Sequence, residues 1–275
     1  MAPRFPAVVL CVLCASPGLA RRPETPAPAT SASASVRPVV VHYLLLGGSL
    51  RGHWVNDATM ARHMNGRERY RAYLGNKFLG LKTGKPVETD PDFRGHFVWA
   101  LARDASDDGA VMIGGKGNPM PRPVRALRND DRKARDIVAQ VLRDKGIQRP
   151  DVRITRAFSA DLDGDGDEEL LISANRNTRI EDPWPGRGDY SVALVHRKTR
   201  GLWRTVVLEG RFYSRGGKQE PELLHQYTIY GAFDVNGDGR MEVFMNAGYY
   251  EGGGTWVYEL AQGRFRRVFG AETAK

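Results

Sequence analysis

Hydrophobic positions in this chain come mostly in short runs closed by glycine, asparagine or proline, which is a strand-and-turn pattern. Val39 to Leu46 reads as one buried strand ended by Gly47-Gly48, and Trp54-Val55 as part of a returning strand. Asn56 to Met64 fits a short helix capped by Asn56. Arg69 to Leu74 and Phe78 to Lys82 form a hairpin pattern across Gly75-Asn76, and Phe97 to Ala102 is a further strand. Asp104 to Pro123, rich in Gly, Asp and Pro, reads as a loop. Asp130 to Lys145 breaks the pattern. There Ala134, Ile137, Val138, Val141 and Leu142 recur at helical spacing, with Asn129 or Asp130 as cap and Gly146 as stop. One apolar stripe implies one buried face, laid on the sheet that follows.

After the helix the pattern repeats. Val152 to Leu162, an acidic loop, Glu169 to Ser173, Tyr190 to Arg197 and Leu202 to Leu208 make one copy. Gln226 to Val235, a second acidic loop, Glu242 to Asn246, Thr255 to Leu260 and Phe265 to Phe269 make the other. Asp161 corresponds to Asp234, Leu170 to Val243, Val192 to Leu194 with Trp256 to Tyr258, and Trp203 to Phe265. Each copy predicts a four-stranded antiparallel sheet, with turns near Lys198–Gly201 and at Gln262-Gly263.

The two loops carry the candidate chemistry. Asp161-Leu-Asp-Gly-Asp-Gly-Asp-Glu-Glu169 and Asp234-Val-Asn-Gly-Asp-Gly-Arg-Met-Glu242 place side-chain oxygens at positions 1, 3, 5 and 9. These are Asp161, Asp163, Asp165 and Glu169, then Asp234, Asn236, Asp238 and Glu242. The backbone carbonyls of Asp167 and Arg240, at position 7, can add an oxygen each. Ca2+ takes about six to eight oxygen ligands, and alternating oxygens on a curling backbone can converge on one ion. Gly164, Gly166, Gly237 and Gly239 permit that curl. An EF-hand is excluded, because position 12 is Ile172 or Met245 and the flanks are strand-like. Asn236 removes a charge and Arg240 stands beside the second loop, so the first is expected to bind more tightly. A tight hairpin held by Asx hydrogen bonds is the alternative for either loop.

Phe158-Ser-Ala-Asp161-Leu-Asp-Gly-Asp-Gly with Glu169-Leu-Leu-Ile, and Ala232-Phe-Asp234-Val-Asn-Gly-Asp-Gly with Glu242-Val-Phe-Met, resemble the FG-GAP/VCBS-type repeats of bacterial surface proteins and integrin propellers. The resemblance covers about residues 154–270. It implies blade-like sheets whose loops bind Ca2+ through positions 1, 3, 5, 7 and 9. A closed propeller needs about four to eight blades, and two copies do not supply them.

The N-terminus reads as an export signal. Met1 to Arg4 is positive, Phe5 to Ala15 is apolar, and Gly18-Leu-Ala20 offers small residues before a cut after Ala20. The apolar run is too short to span a membrane. Both cysteines, Cys11 and Cys14, lie within it, so the exported chain would carry no disulfide. Arg21 to about Pro38, rich in Pro, Ala, Ser and Thr, reads as a disordered spacer.

The net charge of +9 suggests an anionic partner, a protein or glycan such as a cell-wall polymer, or lipid headgroups. It does not suggest nucleic acid: the basic residues are scattered, and Asp130 and Asp131 break the densest patch, Arg122 to Arg135. Gly114-Gly-Lys-Gly117 lacks the full spacing of a phosphate-binding loop. Arg187-Gly-Asp189 is an integrin-type tripeptide short enough to arise by chance, and the six histidines are dispersed. Tyr249, Tyr250, Glu251 and Trp256 could line a sugar-binding or hydrolytic groove, although such aromatics are more often core.

The sequence thus predicts a signal peptide over 1–20, a spacer over 21–38, a small β-rich module over 39–125, and a helix with two repeats over 126–272. The expected fold is mainly β, with two four-stranded antiparallel, propeller-blade-like sheets bearing calcium loops. The expected role is a secreted or periplasmic calcium-binding module for structure or interaction. The alternative is a small secreted hydrolase or carbohydrate binder using Tyr249 to Trp256.

Overall fold

Among the residues described in a computed structural model, seventeen strands, all antiparallel to their partners, and two helices build the fold. The described residues are 36–90, 93–97, 109–176, 184–215, 224–250 and 252–274. The expected signal peptide, most of the spacer, residues 98–102 of the expected Phe97–Ala102 strand, and Glu251 lie outside these.

The N-terminal sheet has eight strands: β1 (Val36–Val41), β2 (Leu44–Leu50), β3 (His53–Asn56), β4 (Arg69–Leu74), β5 (Lys77–Thr83), β6 (Glu88–Asp90), β7 (Phe93–Phe97) and β8 (Val111–Gly114). Its order is β5-β4-β8-β1-β2-β7-β6, with β3 also on β2. Four expectations are corrected here. The run from Val39 to Leu46 is a hairpin, because His42 and Tyr43 turn with φ of 50° and 67°. Gly47-Gly48 lies inside β2, where neighbouring backbones press on it from both sides. The expected loop at 104–123 contains β8, a four-residue apolar strand between β1 and β4. The spacer also ends earlier than expected, since Val36 already pairs with Leu50. The helix α1 (Asp57–Ala61) starts as expected, with Asn56 accepting the Thr59 N–H.

The middle sheet runs β13-β12-β11-β10-β9, from β9 (Val124–Ala126), β10 (Ile154–Ala160), β11 (Glu169–Asn175), β12 (Asp189–Thr199) and β13 (Leu202–Tyr213). It has five strands, not four, because β9 pairs with β10. The helix α2 (Arg132–Asp144) is capped by Asp131, one residue past the expected caps, and stops at Gly146 with φ 90°. The C-terminal sheet is the expected four-stranded meander of β14 (His225–Phe233), β15 (Glu242–Tyr249), β16 (Gly252–Ala261) and β17 (Arg264–Ala274).

Strands β10 to β13 and β14 to β17 thus follow the same course, each with an acidic loop after the first strand. Leu170 pairs with His196, and Val243 with Tyr258. Leu194, not Val192, is therefore the counterpart of Trp256. The two-residue correction leaves every side chain on the expected face, because strand periodicity is two.

Alternation decides the packing. Leu171, Ala193 and Val195 of the middle sheet meet Val243, Met245 and Trp256 of the C-terminal sheet. Leu170, Ile172 and Leu194 point the other way, against Ala134, Val138 and Leu142 of α2. Phe244, Val257 and Phe269 leave the C-terminal sheet on its opposite face and pack with Val39, Val41, Leu46 and Ile113. Val40, Leu45 and Met112 face outward from there onto Met60 of α1. The layers are therefore helix, N-terminal sheet, C-terminal sheet, middle sheet, helix. The centre of the C-terminal sheet is covered on both faces, which is why Val243 to Met245 of β15 and Thr255 to Tyr258 of β16 are buried at consecutive positions.

Candidate metal centre

Both acidic loops join the first two strands of a meander, so each hangs from the end of a buried hairpin. Their internal hydrogen bonds match. Asp161 accepts the N–H of Gly164 at 2.7 Å and of Gly166 at 3.2 Å. Asp234 accepts those of Gly237 at 2.6 Å and Gly239 at 3.0 Å. Asp165 takes the Asp167 N–H, and Asp238 the Arg240 N–H, both at 2.8 Å. Glu169 and Glu242 reach back to the N–H of position 2, Leu162 and Val235, both at 2.9 Å. Gly164, Gly166, Gly237 and Gly239 all have φ between 81° and 88°, the left-handed region the turn requires. An arginine backs each loop. Arg122 donates to the carbonyls of Asp161 and Leu162, and Arg37 to that of Val235.

In the first loop, one carboxylate oxygen from each of Asp161, Asp163 and Glu169 lies within 4.8 Å of the others. Oxygens bound to one Ca2+ at about 2.3–2.6 Å stand at most about 5 Å apart, so this set fits the ion. Glu169 is wholly buried, and its Oε1 has no hydrogen-bond partner; neither has Asp163 Oδ1. Burial, then the nearby Asp163 and Asp165 charges, push the Glu169 carboxyl up to about 7 against the pull of the Leu162 N–H and Arg197. Crowded, dehydrated carboxylates of this kind are stabilised by a cation. Asp165 and Asp167 stand outside the group, and Asp167 pairs with Lys198 at 3.1 Å.

The second loop is arranged differently at its centre. Among the described residues, Asp234, Asp238 and Glu242 do not gather as closely as the first set. Asn236 turns its amide toward Asp238, Nδ2 donating at 3.0 Å. Asp234 and Glu242 are both buried. Burial raises the Asp234 carboxyl, and burial with the Asp238, Asp234 and Glu259 charges pushes Glu242 up to about 9. Ile172 and Met245, at position 12 of the loops, are buried apolar residues of β11 and β15, as the exclusion of an EF-hand requires.

Two residues that face the loops escaped sequence reasoning. Arg197, nearly buried, holds Asp163 Oδ2 at 3.0 Å, and its Nε stands 4.0 Å from Glu169 Oε1. Glu259 takes the corresponding place in the second copy. The only signal for either was the strand register.

The other candidates separate. Trp256 is buried, with the Arg267 guanidinium 4.4 Å from its ring centre, whereas Tyr250 is exposed. Asp189 of the Arg187-Gly-Asp189 tripeptide is buried, bonded to Arg176 at 2.9 Å and to the Gly186 N–H at 2.7 Å, so its carboxylate is not presented outward. Among the described residues, no helix is long and apolar enough to cross a membrane.

No protein-family model matches the chain, and no curated protein or solved structure matches it either.

Proposed function

We propose that this chain is an exported calcium-binding β protein of FG-GAP/VCBS type, acting as a structural or interaction module at the bacterial cell surface or in the periplasm. The observation that carries the reading is the group Asp161, Asp163 and Glu169, one oxygen of each lying within 4.8 Å of the others, together with the unpartnered Asp163 Oδ1 and Glu169 Oε1. Asp161, Asp163, Asp165 and Glu169 would hold one Ca2+, with the Asp167 carbonyl. Asp234, Asn236, Asp238 and Glu242 would hold another, with the Arg240 carbonyl. The ion would neutralise carboxylates that burial and mutual repulsion disfavour, and so tie the two strands of each hairpin together.

The matched hydrogen-bonding of two loops 73 positions apart, on meanders of the same course, supports a shared ancestral unit of the blade-like kind. The layered sheets leave the loops at strand ends, and the net charge of +9 favours an anionic protein or glycan as the partner. Calorimetric titration with Ca2+, combined with thermal unfolding, tests the proposal. Heat of binding and a melting temperature lowered by excess EDTA are expected. No heat and an unchanged melting temperature overturn it.

A further inference from the structure

Strand register sets opposite charges against the two loops. Leu170 pairs with His196, so the next pair, at the mouth of the first loop, is Glu169 with Arg197. Val243 pairs with Tyr258, so the same place in the second copy sets Glu242 against Glu259. The partners on the following strand preserve the correspondence: Arg197 pairs with Arg204, and Glu259 with Arg266. A cation thus faces the first loop from β12, and an anion faces the second from β16.

Arg197 stands where a bound cation would. Its side chain is 7% exposed. Nη2 donates to Asp163 Oδ2 at 3.0 Å, while Nε lies 4.0 Å from Glu169 Oε1, too far for a hydrogen bond, and has no partner. Asp163 Oδ1 and Glu169 Oε1 are likewise unpartnered. The guanidinium therefore supplies charge to this pair of carboxylates without completing their hydrogen bonding. Lys198 on Asp167 and Arg122 at 3.8 Å from Asp161 Oδ2 add to the positive field. In the second copy Arg37 takes the place of Arg122 behind the loop, but Lys198 is replaced by Leu260 and Arg197 by Glu259, which is paired outward with Arg266 at 2.7 Å.

We propose that Arg197 is a tethered cation occupying the first loop, and that a metal ion enters this loop by competing with the guanidinium for Asp163 and Glu169. The inference rests on the reading of the loops as Ca2+ sites. It has a specific consequence. The ligand count favours the first loop, but in the native chain Arg197 cancels that advantage, and the second loop, faced by Glu259, is the one left open to the ion.

The test measures each loop alone in the full chain by Ca2+ calorimetry. Asp234→Asn silences the second loop, and Asp161→Asn silences the first. In the Asp234→Asn background, Arg197→Gln is expected to raise Ca2+ affinity at least tenfold, and to make melting depend on Ca2+ more steeply than before. The first loop should bind no more tightly than the second in the native chain, and more tightly once Arg197 is gone. Unchanged or weakened first-loop affinity in Arg197→Gln overturns the inference while leaving the calcium reading intact. Absence of binding in every variant overturns both. If Arg197→Gln folds only when Ca2+ is present, the metal has replaced the guanidinium and the inference is supported. If it folds in neither condition, Arg197→Lys decides, since a shorter, non-planar cation competes less well: higher affinity than native supports the inference, and equal affinity overturns it.

Discussion

Ser173 accepts the backbone N–H of Ile229 through its hydroxyl at 2.7 Å, across the interface between the middle and C-terminal sheets. Two residues along β14, the Tyr227 N–H donates to Ser191 Oγ at 2.8 Å. β14 is the edge of its sheet, and an edge exposes unpaired amides. Here serines of the neighbouring sheet take the place of a further strand. Asn175 completes the network, bonding Ser191 and, at 3.3 Å, the Tyr227 carbonyl. Ser173→Ala and Ser191→Ala each leave a buried N–H unpaired, at a loss of about 1–3 kcal/mol. Urea unfolding of the two variants checks this, and losses below about 0.5 kcal/mol would show that water replaces the hydroxyls.

Gly48 is a backbone requirement of β2. A Cβ there would stand 2.1 Å from the Arg37 carbonyl oxygen, and at Gly47 one would stand 2.3 Å from that of Val55. Both glycines also have positive φ, at 149° and 121°. Gly48→Ala must push β1 off β2, and is expected to lower stability by about 3 kcal/mol or more. Denaturant midpoints measure the loss; a tolerated alanine would contradict the register given for these strands.

Besides the His42-Tyr43 turn, three tight turns place a non-glycine residue at left-handed φ directly before a glycine: Arg51 (53°) before Gly52, Arg200 (51°) before Gly201, and Gln262 (51°) before Gly263. Asparagine is the better residue for that position of a two-residue hairpin turn. Gln262→Asn and Arg200→Asn are each expected to raise stability by about 0.5–1 kcal/mol, read from the shift in thermal or urea midpoint. Neither side chain touches the acidic loops' hydrogen bonds, so Ca2+ binding should be unchanged.

These turns mark what the sequence made legible. Arg200-Gly201 and Gln262-Gly263 carry glycine, and the hairpins they close are local. The His42-Tyr43 turn carries no residue of the usual turn types, so Val39 to Leu46 read as one strand. β8 is four apolar residues within a stretch of Gly, Asp and Pro, and is stabilised by β1 and β4, which are distant in sequence. Within the loops, alternating oxygens and glycines announce the candidate positions, and the structure brings Asp161, Asp163 and Glu169 of them together. Arg197 could not be found that way, lying 34 positions from the aspartate it holds. It becomes visible once the register of β11 on β12 is known.

His196 stacks on Trp203, with ring centres 5.1 Å apart and planes within 5°. Burial, and then the Lys133 charge, hold the imidazole below the ordinary histidine value. Lys133 lies 4.5 Å over the same indole. The native chain therefore binds this proton less readily than the unfolded chain, whose histidine titrates near 6.5. The stability this contributes is present above about pH 6.5 and is lost as pH falls through the lower folded value. His196→Gln should flatten that part of the profile. Urea midpoints of both proteins from about pH 5 to 7.5 test it, and parallel profiles would exclude His196 as the source.

Glu242 faces Glu259 across β15 and β16, and like charges opposed on a sheet destabilise it. Glu242 is 1% exposed, and its Oε2 accepts the Val235 N–H at 2.9 Å. Glutamine has nearly the same shape and can keep that bond through its carbonyl oxygen while removing the charge. Without metal, Glu242→Gln is expected to be more stable than the native chain by about 1–4 kcal/mol, as when poorly compensated buried charge is removed elsewhere. With Ca2+ the variant's advantage should shrink, and reverse where it is below about 2.7 kcal/mol, because at one hundred times the dissociation constant the native chain gains about that much binding energy and the variant does not. Melting curves of both proteins in EDTA and in excess Ca2+ give the four values needed. A variant less stable in EDTA would mean that the carboxylate is already compensated within the fold. A variant with the native response to Ca2+ would remove Glu242 from the second loop's ligands.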